Sequence, residues 1–394
     1  MTQNDQKETQ AQPKSGVVKS KSGGSPDRFW NPRFWDGMTI SAYHKLLRAG
    51  KHKVSLGRYP MFCMIWALTP LNSGLAALQS CFYSRKINAT RPVDDPIFII
   101  GHWRSGTTLL HEYLMRDERF TTSNTYECFA PSHFLVSEKY IAPWLKFLMP
   151  KKRPMDNMAV GLQRPQEDEF AICALGMNSP YRDVAFPNNA PIDSEYLTLR
   201  SLSDDERARW LDAIEYLVKA LTVKYDKRLI LKSPPHTARV EALLERFPNA
   251  KFIHISRDPF VLFPSTVNLW KRLSAVHGLQ VPKDTCAIEE KTLKNFEEMY
   301  DSFFDALPKL QPGALCEISY DELVDRPVST LERIYSELNL GRSQENKEIF
   351  EQYANSQKSY KRNKFEISAE MKKTILRRWR RYFERYFPEE LEQS

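Results

Sequence analysis

Residues 101–110 read GHWRSGTTLL and follow the apolar run Pro96-Ile97-Phe98-Ile99-Ile100. A short buried strand, a turn bounded by Gly101 and Gly106, and a helix opening at Thr107 form the context in which backbone N–H groups cradle a phosphate. In the nucleoside-triphosphate version of such a loop, a lysine follows the second glycine and reaches the β- and γ-phosphates. Here Thr107 takes that place, and the nearest cation is Arg104. The chain therefore presents a phosphate cradle without the triphosphate lysine.

Outward from this loop, strand and helix patterns alternate. RLILKS (residues 228–233), KFIHIS (251–256) and ALCEISY (314–320) read as further strands. Helical spacing follows each one, in HTARVEALLERFP, PFVLFPSTVNLWKRL and VSTLERIYSELNL. Such alternation predicts an α/β fold, a three-layer sandwich with a central parallel sheet. Ligands of these sheets bind beyond the carboxyl ends of the strands.

The chain has 394 residues, 42% of them hydrophobic, enough for a substantial core. Its net charge of +8 suits anionic ligands or anionic membranes. No Lys/Arg stripe interleaved with aromatics appears, so nucleic acid is not an expected partner. The six cysteines form no C-x-x-C pair and the histidines no H-x-x-x-H spacing, so neither a disulfide framework nor a metal site is expected. Reduced thiols fit a cytoplasmic setting.

Three regions are expected. Residues 1–27 are polar and read as a disordered tail. Residues 28–91 form a helical segment, and 92–394 the α/β domain. Within the second region, residues 59–84 carry no charge, while Arg58, Arg85 and Lys86 flank them. That length suffices for a membrane span, but Pro70, Asn72, Ser73 and Gly74 interrupt its centre. An apolar helical hairpin dipping into the inner face of the membrane is therefore expected, with a buried helical pair and a true span as the alternatives.

WRSGTT after one strand, then SRDPFVLFPS (residues 256–265) after a later strand, resembles the sulfotransferase family that uses 3′-phosphoadenosine 5′-phosphosulfate (PAPS). LKSPPH and SYDELVDRPVSTLERIYSELNL look like the bacterial branch of that family. The resemblance covers roughly residues 92–345. It implies a P-loop-like sulfotransferase fold and a donor with no γ-phosphate. It also implies that Arg104, Ser105, Gly106, Thr107 and Thr108 hold the 5′-phosphosulfate, and that Arg257 and Ser265 hold the 3′-phosphate. No apolar strand ends in an acid suited to Mg²⁺, so no metal is implied.

Arg104 stands where cytosolic members have a lysine. A guanidinium keeps the charge but does not release a proton. Lys232 is then the expected cation on the leaving oxygen. The acceptor hydroxyl needs a base, and Glu127, 23 residues beyond Arg104 by the numbering, is preferred over His236. Glu167, Asp168 and Glu169 read first as acids capping a helix, with a role in orienting the acceptor or a catalytic side chain as the second reading. Lys361 and Arg362 offer a further grip on the 3′-phosphate.

The expected activity is sulfuryl transfer to a hydroxyl, on a lipid or other amphipathic alcohol. Two rivals remain at this stage. One is a P-loop kinase or nucleotide hydrolase, and the other a non-catalytic membrane-surface protein that binds PAP, the donor without its sulfuryl group.

Overall fold

The computed structural model describes residues 32–145, 161–283, 286–341, 344–357 and 365–392. The expected disordered tail and the pair Lys361 and Arg362 lie outside these residues.

Five parallel strands form one sheet in the order β2-β3-β1-β4-β5. They are β1 (Ile97–Ile100), β2 (Phe120–Thr121), β3 (Arg228–Lys232), β4 (Lys251–Ser256) and β5 (Leu315–Ser319). Four of them coincide with the apolar runs of the sequence. The two-residue β2 is too short to leave a pattern. Central β1 pairs with β3 through Ile97 and Ile230, and with β4 through Ile97 and Lys251.

All four β1 side chains are buried, but they serve two different cores. Ile97 and Ile99 pack with Leu110 and Leu114 of α3 (Thr107–Leu114) and with Leu331 and Ile334 of a later helix. Phe98 and Ile100 face the opposite way, toward Trp210 and Leu217 of α7 (Asp204–Tyr225). Because side chains alternate along a strand, a continuous apolar run supplies both faces, and the three-layer sandwich follows. Each such side chain contributes about 1.5–3 kcal/mol by burial.

The N-terminal segment joins the larger core. Trp35 Nε1 donates to the His277 carbonyl at 2.7 Å, and Phe34 stacks on His277 at 3.6 Å between ring centres. His277 ends α9 (Pro259–His277). Two helices follow Trp35, α1 (Ile40–Ala49) and α2 (Tyr59–Ala89).

The hairpin expectation is corrected here: α2 is one continuous helix of 31 residues with Pro70 inside it. Proline has no N–H for the Trp66 carbonyl, and the Thr69 hydroxyl donates to that carbonyl instead at 2.9 Å. Asn72 Nδ2 donates to the Asp36 and Met38 carbonyls at 2.7 and 3.0 Å. Ser73 Oγ accepts from the Ile40 N–H at 3.0 Å. Asn72 and Ser73, which read as part of a turn, are polar fittings that dock the start of α1 and the residues ahead of it onto α2.

Only a narrow stripe of α2 is buried, including Met61, Ile65, Thr69, Asn72 and Gln79. Leu71, Leu78 and Phe82 stand 55%, 48% and 71% exposed. By length and composition α2 is long and apolar enough to cross a membrane.

Candidate active site

The loop between β1 and α3 lies at the carboxyl end of the central strand. Gly101 has φ +139°, and a Cβ there would sit 2.7 Å from the Ile255 carbonyl oxygen. Gly106 has φ +110°, and a Cβ there would meet the Tyr320 ring at 2.4 Å. Both positions thus require glycine by conformation and by space. Arg104 also has a positive φ, +72°, unusual for a residue with a Cβ and a sign of a held loop.

The two sequence motifs meet over this loop. Arg104 Nε donates to Ser265 Oγ at 3.0 Å, and Arg257 Nη1 donates to the Arg104 carbonyl at 2.6 Å. Arg257 also lies over the Tyr320 ring, 4.0 Å from its centre. From the far side, Tyr382 accepts from the Arg257 N–H at 2.9 Å and donates to the Arg257 carbonyl at 3.1 Å. Arg104, Arg257 and Ser265, expected together from the sequence, are brought together.

The loop fits an anionic donor. Ser105 Oγ is buried and has no hydrogen-bond partner among the described residues, none of which caps the N-terminus of α3 with its side chain. The first N–H groups of a helix are unpaired by construction, and they carry the positive end of its dipole.

Three acids meet three bases at the end of β3. Lys232 Nζ donates to Glu167 Oε1 at 2.8 Å. His236 Nε2 and Asp168 Oδ2 lie 2.5 Å apart. Arg239 grips Glu169 with two contacts, of 2.5 and 3.1 Å. Asp168 and Glu169 begin α6 (Asp168–Ala174), but Glu167 makes no side-chain cap, which corrects the capping expectation for it. Asp168, Glu169, His236 and Arg239 are wholly buried. Burial pushes the Asp168 carboxyl up, and His236, a backbone hydrogen bond and Lys232 together more than reverse this, leaving it below the ordinary carboxylate value.

Glu167 differs from the other two acids because its side chain keeps 15% exposure. Its second oxygen accepts from the Tyr181 hydroxyl. That hydroxyl accepts from Trp103 Nε1 at 2.6 Å, and Trp103 belongs to the donor loop. Burial, reinforced by the negative charge of Glu167, pushes the Tyr181 phenol well above its ordinary pKa, so it stays a donor.

Glu127 lies in a different cluster. It sits in α4 (Thr125–Phe129) and forms a capping box with Asn124. Its carboxylate accepts from the Asn124 N–H at 2.7 Å, from Lys224 Nζ at 2.6 Å and from the Tyr225 hydroxyl at 2.7 Å. Lys224 also bonds Glu138 of α5 (Phe134–Leu145). Burial pushes the Glu127 carboxyl above its ordinary value although Lys224 pulls the other way.

Sequence reasoning missed Tyr181, Tyr320 and the pairing of Glu167 with Lys232. The usable signal was the match between EDE at 167–169 and the cations at 232, 236 and 239.

Known proteins share both the sequence pattern and the fold. Residues 96–344 match the profile of the sulfotransferase family. The ω-hydroxy-β-dihydromenaquinone-9 sulfotransferases Stf3 of Mycobacterium bovis and Mycobacterium tuberculosis are each 37% identical over 370 residues, 94% of this chain and 95% of theirs. Among solved structures, sulfotransferase STF9 from Mycobacterium avium superposes with a TM-score of 0.67 at 16% identity, covering 91% of this chain and 92% of that one. Sulfotransferase STF1 from Mycobacterium tuberculosis gives 0.57 at 14% identity, covering 89% and 93%.

The chain belongs to the sulfotransferase family. It is a sulfotransferase, and membership implies PAPS as the donor. The kinase, hydrolase and non-catalytic readings do not fit that family.

Proposed function

We propose that this enzyme transfers the sulfuryl group of PAPS to a hydroxyl on a long apolar lipid at the cytoplasmic surface of the membrane. Arg104, Ser105, Gly106, Thr107 and Thr108 would hold the 5′-phosphosulfate. Arg257 and Ser265 would hold the 3′-phosphate, and Lys232 would neutralise the leaving oxygen. In-line transfer of this kind is governed by positioning and by charge placed where it develops.

The observation that carries the lipid reading is the exposed apolar face of α2, with Leu71, Leu78 and Phe82 outward. Arg85 and Lys86 follow on the same helix, and Lys139, Tyr140 and Trp144 stand on α5. Aromatics and cations bordering an apolar face suit a lipid–water interface. A cavity of about 500 Å³ between α2, α5 and the end of α7 combines apolar walls, among them Tyr83, Phe134, Leu135 and Leu162, with the charged Lys86, Glu138, Lys139 and Lys224, and so suits an amphipathic molecule. The Stf3 relatives are named for a hydroxylated menaquinone, a lipid of this type.

The test uses purified full-length enzyme, radiolabelled PAPS and geranylgeraniol in vesicles of phosphatidylglycerol and phosphatidylcholine. Transfer to the prenyl alcohol above that to a short soluble alcohol supports the reading. Preference for the soluble alcohol refutes it.

A further inference from the structure

A general base must come within hydrogen-bond distance of the acceptor hydroxyl, about 2.6–3.2 Å, at the moment of attack. Four carboxylates deserve comparison here: Glu127, Glu167, Asp168 and Glu169. Glu127, Asp168 and Glu169 are wholly buried. Glu127 is held by Asn124, Lys224 and Tyr225, and both oxygens of Glu169 hold Arg239. His236 is sealed as well, edge-on to Phe98 and Trp210 at 5.3 and 6.2 Å between ring centres. Both Glu167 oxygens are engaged as well, by Lys232 and Tyr181, but of these groups Glu167 alone opens outward. It is joined to the loop by way of Tyr181 and Trp103, and it touches Lys232.

We propose that Glu167 is the general base of the transfer, with Lys232 beside it as the cation on the leaving oxygen and Tyr181 as a positioning residue. The acceptor oxygen forms a bond to sulfur while its proton passes to the Glu167 carboxylate. The bond from sulfur to the 5′-phosphate oxygen breaks, its electron pair stays on that oxygen, and PAP departs. Lys232 lies between two anions, the base and the leaving phosphate, and stabilises charge as it moves from one to the other. Neither Glu127 nor His236 touches the acceptor in this scheme. Glu127 ties α4 to α7, and His236 with Asp168 fixes α6, whose first residue adjoins Glu167. The proposal rests on the donor placement given under Proposed function.

Full-length wild type, Glu167→Gln and Glu167→Asp are compared with PAPS and geranylgeraniol in the same vesicles. Three quantities are read: turnover against pH, PAP affinity by calorimetry, and the thermal midpoint. Glu167→Gln is expected to lose about 10²- to 10⁴-fold in turnover, and the acid limb of its pH profile, at wild-type PAP affinity. Glu167→Asp keeps that acid limb at a lower rate. Wild-type turnover in Glu167→Gln would overturn the assignment, and so would a loss of PAP affinity matching the loss of rate. Should Glu167→Gln fail to fold, Glu167→Asp decides, because loss of its acid limb overturns the proposal. A wild type active only on soluble alcohols refutes the lipid reading alone, and the same variants are then read on that alcohol.

Discussion

Arg257 donates to the backbone carbonyl of Arg104 at 2.6 Å, so the side chain assigned to one phosphate also braces the loop assigned to the other. Arg104 returns the connection through Ser265 at 3.0 Å. The two phosphate grips are thus one mechanical unit.

Replacing Arg257 by Ala is expected to weaken PAP by about 1.5–3 kcal/mol, the value of a charged hydrogen-bond partner. Adenosine 5′-phosphate lacks the 3′-phosphate and should weaken less, by the part due to the loosened loop alone. Calorimetry with both nucleotides measures the difference. Equal losses would remove Arg257 from the 3′-phosphate.

Replacing Asn72 by Ala is expected to cost about 1–3 kcal/mol of stability, because the Asp36 and Met38 carbonyls lose the partner that joins α1 to α2. PAP affinity should not change, since these groups belong to α2 and to the stretch just ahead of α1. Denaturant titration with and without PAP checks both statements.

The buried histidines should make stability fall as the pH drops from about 6.5 toward 4, against the opposite pull of two buried acids. Burial lowers His254 from 6.5 to about 4, and it lowers His133 to about 4 as well. A depressed histidine pKa means that the folded state resists a proton which the unfolded state accepts. Its stabilising contribution is therefore complete above 6.5 and is lost as the pH falls toward 4. Each such group removes about 1.4 kcal/mol per pH unit within that window. Burial raises Asp36 to about 7 and Asp193 to about 6, which pulls the other way in the same window. The histidine share is therefore read as the difference between thermal melts of wild type and His254→Asn, and equal slopes in the two would contradict the buried neutral state of His254.

Replacing Leu78 and Phe82 together by Asp is expected to abolish vesicle flotation while PAP binding stays intact. Both side chains stand on the exposed face of α2. Apolar area entering lipid contributes about 25 cal/mol per Å², and two carboxylates reverse that gain. Wild-type protein that fails to float in the presence of anionic vesicles would sink the membrane reading.

Four strands were legible, β1, β3 and β4 as short and almost wholly buried runs and β5 as an alternating one. The pair Arg257 and Ser265 was legible because both follow one strand at a fixed offset. Pro70 misled because the partner that relieves it, Thr69, lies beside it in sequence, while the partners of Asn72 and Ser73 lie more than 30 residues away. Glu127 invited a catalytic reading by its offset from Arg104. Its partners Lys224 and Tyr225 stand 97 and 98 residues on, and no local pattern announces them. Glu167 was masked in the same way, since Lys232 stands 65 residues beyond it.

The clasp of Tyr382 on both sides of the Arg257 peptide has a consequence for how the protein is made. The two residues are 125 positions apart. A growing chain acquires the loop, both arginines and Ser265 long before the ribosome reaches Tyr382. Until then the Arg257 backbone lacks its outer support, and the nucleotide site is unfinished. A nascent chain that ends short of Tyr382 therefore carries every residue assigned above to the two phosphates, yet not the brace that holds the Arg257 peptide.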